Sequence, residues 1–214
     1  MKKFIFVTGP SESGKSGGLN YLSDKYKNEI KHLKIRDIFP EVYKDSKSNK
    51  KFQDWYNYEF KNNFESLWDR YISKADEMSG NARIIIMDTM YGIKSIEYLY
   101  SKLGEKLVVL YIDADFNMRV KREYNRLRTC SITSNGKDDL KITINSVTKK
   151  TIEKDRLKKK RETFEYKDLV YHGKKICVGN RNKEKPFTYI IENNGTLEDF
   201  HNKLEIFISN ELID

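Results

Sequence analysis

The eight residues from Gly9 to Ser16, GPSESGKS, bring two glycines, three serines and a lysine together in the order G-x-x-x-x-G-K-[ST]. Glycines at 9 and 14 let the backbone turn tightly and aim successive N–H groups at one point. That makes an anion nest at the positive end of a following helix. Lys15 is placed to reach the terminal phosphates of a bound polyphosphate, the Ser16 hydroxyl to hold Mg²⁺, and Ser11, Ser13 and Gly17 to complete the cradle. Glu12 stands inside the loop, where a carboxylate repels phosphate, so its side chain is expected to point to solvent. The alternative for the stretch is a Gly/Ser turn between a strand and a helix, with a solvated lysine.

Two acids follow apolar runs of strand character. Asp88 ends RIIIMD, the position from which a carboxylate at the sheet edge binds Mg²⁺ through water or positions a nucleophile. Its other reading is a cap on the next turn. Asp37 follows HLKI and is either an acid of the site or a cap on the turn before Pro40. Asp113 and Asp115 in YIDAD read as helix caps. Arg119, Arg122 and Arg126, spaced i, i+3 and i+7, fall within about a 60° arc of one helical face. Three aligned guanidiniums need an anion opposite, and a transferring phosphoryl group is one. An exposed basic helix is the alternative.

These residues need elements to position them. Strands are expected near 3–8, 32–36, 83–88, 106–112 and 187–192, alternating with helices, which implies an α/β fold with a parallel sheet covered on both faces. Right-handed crossovers put the strand carboxyl ends on the same side as the Gly9–Ser16 loop. Between the second and third strands, residues 51–78 carry apolar side chains at helical spacing and predict one long amphipathic helix. The last helix starts at Thr196 with a capping signal, TLED, and is expected to bury Leu197, Phe200, Leu204 and Phe207. The polar segment 130–146 follows a basic helix, where a mobile lid belongs, with the lid as a whole spanning about 119–150. Residues 171–186 read as a hairpin or a disordered excursion. Gly17 and Gly18, inside the expected first helix, have no local explanation; each costs about 1 kcal/mol relative to alanine.

At 214 residues, with 38% hydrophobic and 34% charged content and no Pro/Gly/Ser linker, the expectation is a single domain over 1–214. No apolar run approaches membrane-spanning length and the N-terminal apolar segment is short, so a cytoplasmic protein without membrane partners is expected. Cys130 and Cys177 lack metal or redox spacing and read as reduced thiols. The net charge of +9 implies polyanionic partners, whether nucleotide phosphates, nucleic acid or anionic lipid. A guanine-reading N-K-x-D segment is missing: the near match NKEK has Lys185 where the acid belongs. That argues against a GTPase switch.

In order along the chain, GPSESGKS, MDTMYGIKSIEYL, YIDADFNMRVKREYNRLR and YIIENNGTLEDFHNKL together resemble the P-loop nucleoside and nucleotide kinases. Nucleoside monophosphate kinases and dephospho-coenzyme A kinase are the nearest in pattern. The resemblance implies a three-layer P-loop NTPase fold of about five parallel strands with helices on both faces and a mobile lid. It implies ATP and Mg²⁺, and a small acceptor of the nucleoside monophosphate, nucleoside or dephospho-coenzyme A class. It implies that Gly9 to Ser16 bind the ATP phosphates, Asp37 lies on the acceptor side, Arg119, Arg122 and Arg126 are lid arginines, and the loop of Asn193 to Thr196, with Asn194 and Gly195, lies near the adenine. Where that group has an arginine shortly after the strand-three acid, this chain has Lys94. Such a protein is a monomer or a homodimer. The alternatives are a nucleic-acid-binding protein or polynucleotide-end kinase, and a nucleotide-binding regulator without kinase activity.

Overall fold

The computed structural model describes residues 2–88, 92–133, 142–160 and 187–213. Five strands, β1 (Lys3–Thr8), β2 (Ile30–Lys34), β3 (Ile84–Asp88), β4 (Leu107–Asp113) and β5 (Phe187–Glu192), form one parallel sheet in the order β2-β3-β1-β4-β5. Alternation along the strands divides the core in two. Phe4, Phe6, Leu33, Ile85, Met87, Val109 and Tyr111 face one side. Ile5, Val7, Ile84, Ile86, Val108, Leu110, Ile112 and Tyr189 face the other.

The first side is covered by α2 (Ile35–Asp45), α3 (Phe52–Asn62), α4 (Phe64–Met78) and α5 (Ile93–Leu103). The second is covered by α1 (Lys15–Lys25) and α8 (Leu197–Ile213). Helices α6 (Phe116–Thr133) and α7 (Ile144–Lys160) pack on each other. The chain therefore has the three-layer α/β architecture of a P-loop fold, with the strand order reversing beside β1, where the loop after that strand opens.

Three expectations need correction. The second strand lies at Ile30–Lys34 rather than 32–36, and α2 follows without a turn. Ile38, Phe39 and Val42 then bury at helical spacing against the same core as Trp68 and Tyr71, and Pro40 is carried inside this helix. The stretch 51–78 is two helices, broken at Asn63 (φ −130°, ψ 38°), whose carbonyl accepts the first bond of α4 from Leu67 N–H. Consecutive asparagines favour caps over helix interior. The break turns Trp55 of α3 and Phe64, Leu67, Trp68 and Tyr71 of α4 into one core, and Arg70 pairs with Glu59 across it. In the last helix Phe200, Leu204 and Phe207 are buried as expected, but Leu197 is 69% exposed; Ile208 completes the buried face instead.

Residues 134–141 of the expected lid segment, the segment 171–186 and Cys177 lie outside the described residues. Cys130 falls within α6. Among the described residues no helix is long and apolar enough to cross a membrane.

Candidate functional site

The loop after β1 runs through three left-handed residues, Gly9 (φ 130°), Glu12 (φ 61°) and Gly14 (φ 98°), before α1 begins at Lys15. Alternation of this kind is the geometry of an anion nest. Packing fixes two of the three as glycine. A Cβ on Gly9 would stand 2.2 Å from the Ile112 carbonyl oxygen, and one on Gly14 would stand 2.4 Å from Asn193 Nδ2. The loop is therefore held between the end of β4 and the turn after β5.

Lys15 is 7% exposed. Its Nζ donates to the carbonyls of Gly9 (3.0 Å) and Pro10 (2.5 Å) and to Ser13 Oγ (3.3 Å), so the ammonium sits inside the loop. Ser11 is half-buried and Ser13 buried, while Ser16 and Gly17 are exposed in the first turn of α1.

Asn193 is the fastening of the site. Its Nδ2 donates to the Ser13 carbonyl (2.9 Å), its backbone N–H to the Asp113 carbonyl (2.8 Å), and its Oδ1 and backbone oxygen accept from Arg122 Nη2 (3.0 and 2.8 Å). Asn194 Oδ1 accepts from Asp115 N–H (2.8 Å), and the Asp115 carbonyl accepts from Arg119 N–H, placing Asp115 at the head of α6. Thr196 and Asp199 bond reciprocally to start α8: Thr196 Oγ1 accepts from Asp199 N–H (3.1 Å) and Asp199 Oδ2 accepts from Thr196 N–H (3.0 Å) and Oγ1 (2.7 Å). The bonds from Thr196 hold the Asp199 carboxyl below its ordinary range. A Cβ on Gly195 would stand 2.7 Å from Asp199 Oδ2.

The three arginines do not behave alike. Arg119, 6% exposed, makes a two-toothed pair with Asp155 of α7 (2.9 and 2.8 Å) and also donates to the Ser11 (3.2 Å) and Ala114 (3.1 Å) carbonyls. Arg122 reaches Asn193, and its Nη1 is buried without a hydrogen-bond partner; desolvation pulls its pKa below the ordinary value. Arg126 is exposed and paired to Glu123 one turn back (2.8 Å). Arg119 and Arg122 thus share the loop side of α6 while Arg126 lies further out.

Glu12 does not point to solvent, as its type had implied. Its carboxylate accepts from Lys154 Nζ of α7 at 2.8 Å, and Lys154 also donates to Glu123 (3.2 Å). Glu123 is 2% exposed; against desolvation, which pushes its carboxyl up, bonds from Arg126 and Lys154 hold it below its ordinary range. Glu123, Lys154 and Asp155 are the site-side residues that sequence reasoning missed. Their sequence signal was acid and base side by side, Lys154 and Asp155 in EKDR and Glu123 in KRE, which reads equally as a solvated face.

Asp88 is 4% exposed at the carboxyl end of β3, in register with Val7 of β1 and Lys34 of β2. His32 Nε2 approaches its Oδ2 to 3.5 Å. The Tyr71 hydroxyl is fully buried with no hydrogen-bond partner, and burial first, then the charge of Asp88, pushes its pKa up. Asp37 stands exposed in the first turn of α2, the helix that follows Lys34, the β2 register partner of Asp88. Lys94, in the first turn of α5, holds its ammonium 4.3 Å from the centre of the Phe64 ring. Among the described residues no group of three His, Cys, Asp or Glu side chains could cage a metal ion. A groove of about 560 Å³ lined by Lys2, Phe4, Asp76, Lys102 and Lys106 lies at the opposite, amino edge of the sheet and touches none of these residues.

No protein-family model and no curated protein matches the chain. Among solved structures it is similar to a sugar kinase from Janibacter sp. HTCC2649, with 10% identity and a TM-score of 0.47 over 98% of this chain and 95% of that one. An uncharacterized protein from Eubacterium ventriosum ATCC 27560 shows 13% identity and a TM-score of 0.48 over 98% of each chain. Shikimate kinase from Acinetobacter baumannii, in complex with shikimate, shows 13% identity and a TM-score of 0.39 over 99% and 96%. At this distance none of them speaks to the substrate or activity of this chain.

Proposed function

We propose that the chain is an ATP-dependent phosphotransferase acting on a small nucleotide-type acceptor, of the nucleoside monophosphate, nucleoside or dephospho-coenzyme A class. The observation that carries this reading is Lys15, buried among loop oxygens at the head of α1, with Asp88 buried at the neighbouring strand end. A helix N-terminus entered through left-handed turns, with one lysine inside the loop, suits a polyphosphate better than any neutral ligand.

The residues fit ATP and Mg²⁺. Gly9, Ser11, Ser13, Gly14 and Gly17 offer small side chains and backbone N–H groups where phosphates must come close. Ser16 and Asp88 offer the hard oxygens that Mg²⁺ requires, the remaining ligands being phosphate oxygens and water. When bound, the ion neutralises charge on the phosphate oxygens. Lys15 would hold the terminal phosphates, and Arg119, Arg122 and Arg126 would meet charge on the transferring group. For a nucleoside or dephospho-coenzyme A, Asp37 or Asp88 would orient the acceptor hydroxyl and take its proton; for a nucleoside monophosphate the accepting atom is a phosphate oxygen and no such proton transfer is needed. Asn194 and Gly195 would border the adenine. Closure of the α6–α7 region would keep water out, so that transfer outruns hydrolysis.

The test is an acceptor panel with Mg·ATP: nucleosides, nucleoside monophosphates, dephospho-coenzyme A and oligonucleotide ends, scored for ADP together with phosphorylated product. One small acceptor giving stoichiometric ADP and product supports the reading. Phosphorylation of oligonucleotide ends alone, or ADP without any product, would overturn it.

A further inference from the structure

Glu12 is doubly out of place. It puts a carboxylate where phosphates are to be bound, and it holds a left-handed backbone (φ 61°) that a side chain with a Cβ disfavours. Strained residues of this kind collect where function requires them. The partner of Glu12 lies 142 positions away: Lys154 Nζ donates to Glu12 Oε1 at 2.8 Å and to Glu123 Oε1 at 3.2 Å. The next residue of α7, Asp155, holds Arg119, whose Nη1 reaches the Ser11 carbonyl. Of two consecutive residues of α7, Lys154 therefore reaches the loop directly at Glu12 and Asp155 acts at Ser11 through Arg119, while Lys15 holds the loop from within.

The charges around this contact are Glu12, Glu123 and Asp155 against Arg119, Arg122, Arg126 and Lys154. Lys154 is bonded directly to a side chain of the loop. Its two bonds leave one of three N–H donors, on a flexible four-carbon stem that can turn without moving the helix. Desolvation pulls its pKa down, but the bonds to Glu12 and Glu123 outweigh that and raise it, so it stays an ammonium.

We infer that Lys154 is a phosphate ligand of the nucleoside triphosphate, with Glu12 as the internal carboxylate that holds its ammonium at the loop until phosphate oxygens take it over. This rests on the nucleotide reading of the loop. The exchange accounts for a carboxylate among phosphates: Glu12 sets the position of Lys154, and its repulsion of the ligand is offset by the cation it delivers.

The experiment is calorimetric titration of the full chain with Mg·ATP, for wild type, Lys154→Met, Lys154→Arg, Glu12→Gln and the double variant Glu12→Gln/Lys154→Met. Loss of a charge-assisted bond to phosphate should weaken binding at least ~10-fold in Lys154→Met. Lys154→Arg should recover most of it. Glu12→Gln should bind about 2- to 5-fold more tightly, since a like charge is removed and Lys154 is released. The double variant should bind more tightly than Lys154→Met, where an unpaired carboxylate faces the phosphates, and more weakly than Glu12→Gln. A purely structural tie predicts the same loss in both single variants, because a pair is broken equally from either side; that result, or wild-type affinity in Lys154→Met, overturns the inference. If wild type binds no Mg·ATP, or binds it no better than Lys15→Ala does, the nucleotide reading falls and this inference with it.

Discussion

Lys15 is surrounded by oxygen atoms of its own loop, and that arrangement separates its binding role from its structural one. Replacing it by alanine takes a donor from two carbonyls and a hydroxyl buried in the loop but truncates no side chain packed between the sheet and its helices. Lys15→Ala should reduce Mg·ATP affinity and transfer by ~10²-fold or more, with a thermal midpoint within a few degrees of wild type. Calorimetric titration and a melting curve check both halves, and undiminished turnover would remove the loop from the reaction. Asp88 and Asp37 differ in burial, so their asparagine variants should differ too. Asp88→Asn, at a buried strand end, is expected to lower kcat at least ~10²-fold and to raise the Mg²⁺ concentration needed for half-maximal rate. Asp37→Asn should lower kcat without shifting the Mg²⁺ requirement. Lys15 and Asp88 were legible because each stands within a short contiguous run whose local geometry dictates where it points. Glu12 was not, because the group that decides its direction is Lys154, and no periodicity connects positions so far apart.

Gly17 and Gly18 are chemically identical neighbours with different surroundings, and the helix they share makes the difference measurable. A Cβ on Gly18 would stand 2.7 Å from Phe200 Cε1 and Leu204 Cδ1 of α8, whereas one on Gly17 would meet nothing within 4 Å. Gly18→Ala should therefore destabilise the protein by ~1–3 kcal/mol through overpacking. Gly17→Ala should be neutral or stabilise it by up to ~1 kcal/mol through helix propensity. Denaturant midpoints of the two variants give the comparison, and equal shifts would refute the packing account. Element by element, β1, β3, β4 and β5 were legible from their apolar runs, β1 and β5 to the residue, while β2, interrupted by Lys31, His32 and Lys34, was placed two residues late. The helices around 35–78 were less so. Pro40 disguised α2 as a turn, since its helix is held by the buried trio Ile38, Phe39 and Val42 rather than by local propensity. The split at Asn63 escaped a reading by spacing because apolar positions on both sides remain in nearly the same phase across a one-residue break.

On the scale of the molecule, ion pairs join α6 to α7 and one more, Lys154 to Glu12, ties α7 to the loop, and this gives stability a pH dependence. The folded-state pKa of Glu123 lies below its ordinary value, so the unfolded chain binds more protons as pH falls through that range. The contribution is present above the unfolded glutamate pKa of about 4.3 and is lost as pH falls through the lower folded value. Wild type should accordingly lose stability more steeply below about pH 4.3 than Glu123→Gln does, as thermal melts across that window would show. The layer containing α1 has another consequence. Gly18 lies against Phe200 and Leu204, Tyr21 stacks on His201 at 3.6 Å between ring centres, and Lys25 pairs with Glu205 (2.5 Å). The helix that carries the loop at its head is thus seated on a helix encoded almost two hundred residues later, and Asn193, just before it, ties the loop down. A chain emerging from the ribosome exposes its Gly9–Ser16 sequence well before residues 193–208 and cannot shape it until those are out of the exit tunnel. The shape of the loop therefore waits for those residues, and any product ending before Asn193 would carry the complete Gly9–Ser16 motif without the scaffold that gives it shape.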